Sequence, residues 1–142
     1  MRTKVATVCA GVSLLLAGVP LLAHHTFSAE FDPRQPVTLT GTVTKVEWVN
    51  PHGWIFLDVK RPDGVVENWG VETGAPYALT RRGADRSTFP IGLVIEVKGY
   101  RAKNGSTKAN GEEVKLPNGK TLFLGSSAGD APYAAKARAI DK

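Results

Sequence analysis

Val46-Glu47-Trp48-Val49-Asn50-Pro51-His52-Gly53-Trp54-Ile55-Phe56-Leu57 decides how this chain is read. The stretch ends one strand, turns tightly through Asn50-Pro51-His52-Gly53, and begins the next. It also contains two of the three tryptophans and one of the three histidines. The remaining histidines, His24 and His25, are adjacent and fall where an export signal would be cut.

Upstream of this turn, Val37, Leu39, Gly41 and Val43 share one face of a strand, with threonines on the other. The phase then slips, because Val46 and Trp48 continue on the opposite parity. A slip of one residue predicts a β-bulge, and Gly41 predicts a tight bend. Downstream, Trp54 to Lys60 is a second strand with Ile55, Leu57 and Val59 inward. Pro62-Asp63-Gly64 supplies hairpin chemistry, and Val65 to Glu72 is a third strand with Trp69 and Val71 inward. A short helix follows from Pro76 to Arg82, with Thr73 or Gly74 as cap and Gly83 as stop. Packing through Tyr77 and Leu79 is expected to hold it. Leu93 to Tyr100 is a fourth strand, Lys103 to Gly111 a mobile Gly/Asn-rich excursion, and Val114 to Leu124 two short runs around Pro117-Asn118-Gly119.

Three meandering strands, a helix and two more strands give a mainly β fold. The expectation is a small OB-like five-stranded β-barrel with one short α-helix between strands 3 and 4. Closure would hide the sheet edges of a small cysteine-free domain.

The chain of 142 residues opens with Arg2 and Lys4, then an apolar run from Val5 to Leu22 that ends in Leu21-Leu22-Ala23. This is the pattern of a cleavable export signal cut after Ala23, with Gly11, Ser13, Gly18 and Pro20 arguing against a retained span. Residues 1–23 are therefore read as signal, 24–36 as an extended arm pinned by Phe27 and Phe31, 37–125 as the barrel, and 126–142 as a flexible tail. Cys9, the single cysteine, lies inside the signal, so the mature chain has neither disulfides nor thiolate chemistry. Loss of Arg2 and Lys4 lowers the formal charge from +5 to +3. Basic residues are scattered, which argues against a nucleic-acid partner. The expected place is the periplasm or the medium, without stable membrane insertion once the signal is removed.

His24-His25-x-Phe27, Leu39-Thr40-Gly41-Thr42-Val43, Trp48-x-Asn50-Pro51-His52-x-Trp54-Ile55 and Arg81-Arg82-Gly83 together resemble a family of small exported bacterial proteins that carries only a domain-of-unknown-function label. The resemblance covers roughly His24 to Leu124. It implies secretion and this fold, and supplies no activity. Gly83 to Leu93 departs from the pattern, which has an aromatic residue after the glycine and a Pro-Gly-Asp turn.

Three chemistries are open. Cleavage before His24 frees an α-amine beside that residue's imidazole, groups that titrate at about 7.7–8.0 and about 6.5. Amine plus imidazole suits a transition metal, copper first, with His25 and His52 as further ligands. The arm can extend roughly 40 Å, about the length of strand one, so it can fold back to the turn. The bland alternative is a solvated histidine pair and a turn residue that hydrogen-bonds backbone. A second possibility is a partner- or glycan-binding face using Trp54 and Trp69, set against the ordinary role of strand aromatics as core. The partner would be a periplasmic protein or a small ligand. Catalysis is not expected, because Glu47, Asp58, Glu67 and Glu72 are scattered and no nucleophile motif accompanies a histidine.

Overall fold

A computed structural model describes residues 26–126 and 128–142; the segment expected to be a signal, His24 and His25 lie outside them. The protein is mainly β. Its elements are α1 (Phe27–Glu30), β1 (Phe31–Glu47), β2 (Trp54–Lys60), β3 (Val66–Glu72), α2 (Pro76–Arg81), β4 (Val94–Ala102), β5 (Lys108–Lys115), β6 (Thr121–Phe123) and α3 (Ala134–Ile140). A single 3-10 turn, Arg86–Thr88, precedes β4.

Antiparallel ladders join β1 to β2, β2 to β3, β1 to β4, β4 to β5 and β5 to β6. A parallel ladder of Gly70, Val71 and Glu72 with Lys108, Ala109 and Asn110 joins β3 to β5. Following the pairings from β1 through β2, β3, β5 and β4 leads back to β1. Leu39, Val43, Ile55, Leu57, Trp69, Val71, Ile95, Val97 and Val114 are buried in the resulting main core. Each such aliphatic side chain contributes about 1.5–3 kcal/mol relative to exposure.

The slip in β1 is a bulge between Val43 and Lys45. Val43 pairs with Leu57 and Lys45 with Phe56, so Thr44 is the extra residue, and its hydroxyl donates to the Phe56 carbonyl. Gly41 sits where a Cβ would stand 2.7 Å from the Asp58 carbonyl oxygen, which explains why that position carries no side chain. The bulge was legible as a slip in periodicity; at Gly41 the requirement is the close approach of the Asp58 backbone.

Four expectations need correction. Among the described residues the strands number six, not five. The excursion Lys103–Gly111 ends inside β5, because its Gly/Asn composition serves close packing: a Cβ on Gly111 would meet Val71 Cγ1 at 2.8 Å, and Asn110 is buried. Tyr77 is 70% exposed while Leu79 is fully buried, so Leu79 holds α2. Ala75 is the N-cap, without a side-chain cap, and Gly83 at φ +86° provides the stop.

The two terminal segments are also structured. Residues 31–36 belong to β1, which runs five positions from Phe31 to Pro36 while β4 advances only from Ala102 to Tyr100. This irregular stretch accommodates Pro33 and keeps it out of the ladder. Phe27, Phe31, Ala102, Phe123, Ala131, Tyr133 and Ala137 form a second core joining the beginning of the described chain to its end. The Phe27 and Ser28 amides donate to the Asp130 carboxylate at 3.0 and 2.8 Å. The tail expected to be flexible thus carries α3 with Ala134 and Ala137 buried. Its weak periodicity reflects small residues packing closely rather than an absence of packing.

Arg82 clamps the end of this tail. Its Nε and Nη2 donate to the two Asp141 oxygens at 2.8 and 2.5 Å, and Nη1 donates to the Gly125 carbonyl at 2.6 Å. Hydrogen bonding from Arg82 holds the Asp141 carboxyl below its ordinary value of 3.8. A depressed carboxylate stabilises the fold above its unfolded pKa, and that contribution is lost as pH falls through the folded value. Asp141→Asn is therefore expected to cost about 1 kcal/mol at pH 7 after solvent screening. It should also flatten the thermal-stability decline below about pH 4. Melting curves from pH 7 to pH 2 check this, and identical acid limbs in the two proteins would refute the clamp.

Candidate functional site

The turn after β1 is fastened to the end of β3. Thr73 N donates to the Gly53 carbonyl at 2.8 Å and Gly53 N to the Gly74 carbonyl at 3.2 Å. A Cβ on Gly53 would lie 2.7 Å from Thr73 Oγ1, so the turn docks only because that position is bare. The Asn50–Pro51 peptide is cis.

This docking brings the His52 ring against the backbone. Nδ1 lies 3.1 Å from the Thr73 carbonyl oxygen and 3.7 Å from Glu72 Oε1, with 18% of the side chain exposed. A carbonyl can only accept, so Nδ1 carries a hydrogen and donates it, and Nε2 is the ring nitrogen outside this contact. Glu72 is buried beside it, and burial pushes its carboxyl above the ordinary value; the neighbouring His52 opposes this and Glu30 adds to it. Asn110 Nδ2 donates to Glu72 Oε1 at 3.3 Å, and the Tyr133 hydroxyl donates to Asn110 Oδ1. A chain of polar groups therefore runs from the turn, through β3 and β5, to the segment before α3. Sequence reasoning singled out His52 and missed Glu72, Asn110 and Tyr133 as its neighbours. The parallel Glu72–Asn110 pairing brings two of them together, and no local pattern announces it.

Of the residues singled out as metal ligands, only His52 is among the described ones; His24 and His25 lie outside them. The described residues contain no group of three or more His, Cys, Asp or Glu side chains placed to hold a metal.

The two tryptophans assigned to a ligand face are separated by the fold. Leu57 pairs with Trp69, so Trp69 shares the inward face; it is 5% exposed and its Nε1 donates to Glu67 at 3.1 Å. Trp54 pairs with Glu72 and faces outward with Phe56, their rings 6.4 Å apart and 24° from parallel. Trp54, Phe56, Glu47, Asn68, Gly70, Thr107 and Lys108 line a shallow cavity of about 340 Å³. Trp69 is not part of it. Phe56 stands two residues after Trp54, so strand alternation already puts the two rings on one face.

These features define a small mainly β protein with one fastened histidine turn and one open aromatic face. The sequence model of a family described as a family of unknown function (DUF6152) matches residues 12–111, and the chain belongs to that family. The match spans β1 to β4 and the first half of β5, including His52, Trp54 and Glu72. No curated protein matches the chain. Among the described residues, no helix is long and apolar enough to cross a membrane.

Proposed function

We propose that this chain is an exported, non-catalytic accessory protein on an OB-like β-barrel that binds a transition metal, copper first. In this reading the signal is cut after Ala23 and the mature protein works in the periplasm or outside the cell. The circuit of pairings through β1, β2, β3, β5 and β4, with α2 between β3 and β4, supports the barrel. The amine and imidazole of His24 and the imidazole of His52 bind the metal, with His25 as an additional donor.

One observation carries the metal reading. The hydrogen bond from His52 Nδ1 to the Thr73 carbonyl is the support that metal-binding imidazoles ordinarily have, because it fixes the tautomer and orients Nε2 as a donor. The neighbouring Glu72 carboxylate strengthens this arrangement. The N-terminal side of the described chain is anchored near this network: Phe27 is buried beside Tyr133, whose hydroxyl bonds Asn110, the partner of Glu72. Because Phe27–Glu30 is helical, only the residues before Phe27 are counted as reach, at most about 10 Å back to His24.

Acetylation of the His24 α-amine tests the role of the amine, since it removes that donor and leaves the imidazoles. Affinity for Cu(II) is expected to fall at least about tenfold relative to the same protein with its amine free. Equal affinity would exclude an amine-dependent site.

A further inference from the structure

The geometry points to a second, metal-independent site: the outer face of β2 and β3 binds a neutral oligosaccharide through Trp54 and Phe56. The two rings stand at alternate positions of β2, their planes 24° from parallel and their centroids 6.4 Å apart. Side by side along the strand, they form a row that gives the one cavity an apolar wall. The apolar C–H faces of successive sugar units match such a row.

The opposite strand keeps the face open. Gly70 pairs with Phe56, and a Cβ there would sit 3.4 Å from Phe56 Cε1 and 3.7 Å from Trp54 Cε3. Any longer side chain would lie across the rings. Gly70 is not in the left-handed region of backbone space, so no turn geometry demands a glycine here.

The rim supplies mixed hydrogen bonding. Glu47 and the Asn68 amide oxygen accept, Lys108 donates, and the Thr107 hydroxyl can do either, all around one cavity of about 340 Å³; the Asn68 amide nitrogen is already taken by Thr44 and Asp58. That volume is at the lower end for small-molecule sites and suits a few ring atoms' depth of contact rather than engulfment. Hydroxyl groups, each donor and acceptor at once, are the ligand chemistry such a rim satisfies.

Charge decides between a neutral and an anionic ligand. Lys45 Nζ lies 5.2 Å from the centre of Phe56 and Lys108 Nζ 5.6 Å from that of Trp54. Each is already ion-paired, Lys45 with Glu47 and Lys108 with Glu30. No uncompensated positive field is left at the face, so a phosphate backbone or a polyuronate has nothing to neutralise. The ligand is uncharged.

The experiment is isothermal titration of the exported protein, in chelator, with hexameric cello-, malto-, xylo- and chito-oligosaccharides. Polygalacturonate and a single-stranded oligodeoxynucleotide serve as charged comparisons. At least one neutral hexamer is expected to bind, with Phe56→Ala weakening it about tenfold. Gly70→Val, which keeps both rings and covers them, should weaken binding as much while its melting temperature stays near wild type. Absence of binding by every neutral hexamer would overturn the proposal. So would tighter binding of the charged polymers, or binding indifferent to both variants. Because chelator is present throughout, the result is independent of the metal reading.

Discussion

Protein beginning at His24 is expected to take up one equivalent of Cu(II), and His52→Ala to weaken that uptake by about a hundredfold. The magnitude follows from what the substitution removes. Loss of an outer hydrogen bond to a metal-binding imidazole alone typically costs about 10–100-fold in affinity, and loss of the imidazole itself costs at least as much. The remaining amine and imidazole of His24 would still bind copper, as any N-terminal histidine does, so the expected result is weakening rather than abolition. Electron paramagnetic resonance separates the cases: nitrogen superhyperfine structure should simplify in His52→Ala. Glu72→Gln should retain the site with lower affinity, since it keeps the ring's place and removes the neighbouring charge. Copper binding that is weak and indifferent to His52 would leave a terminal histidine pair and a structural turn. His52 would then serve only to fasten the β1–β2 turn to Thr73.

How much of this could be read beforehand depends on whether the cause was local. The bulge at Thr44, the hairpin at Pro62-Asp63-Gly64 and the Gly83 stop are set by neighbours in sequence, and periodicity and turn chemistry expose them. Trp54 and Trp69 show where that ends. Each is a tryptophan in a strand, but only the register, Trp54 with Glu72 and Leu57 with Trp69, says that one faces out and the other in. The second core is farther from local signals still. Phe27, Phe123 and Tyr133 are isolated aromatics in three segments, and their meeting depends on where the sheet brings β4, β6 and the chain ends. The candidate site follows the same division. The Asn-Pro-His turn was visible, whereas the carboxylate beside it comes from a strand twenty residues on and is supported by β5 through a parallel pairing.

That pairing gives Gly99→Ala the closest backbone clash of any glycine-to-alanine change among the described residues. A Cβ at Gly99 would stand 2.2 Å from the Asn110 carbonyl oxygen, 3.0 Å from its carbon and 3.1 Å from Gly111 Cα. All three are backbone atoms, so no rotamer change relieves the contact. Gly99 lies opposite Gly111 where the β4–β5 register shifts, and one residue earlier Asn110 also belongs to the parallel ladder with β3. Relief requires β5 to move away from β4 there, which strains the β3–β5 contact that returns the pairings to β1. The loss is expected to be about 4 kcal/mol or more, beyond ordinary overpacking. Gly64→Ala is the control. Gly64 has φ +88° with nothing within 4 Å of an added Cβ, so its cost is confined to the backbone, about 1 kcal/mol. Urea unfolding of both variants gives the comparison directly. If Gly99→Ala unfolds near wild type, the β4–β5 register is wrong, and with it the route that places Asn110 against Glu72 and His52.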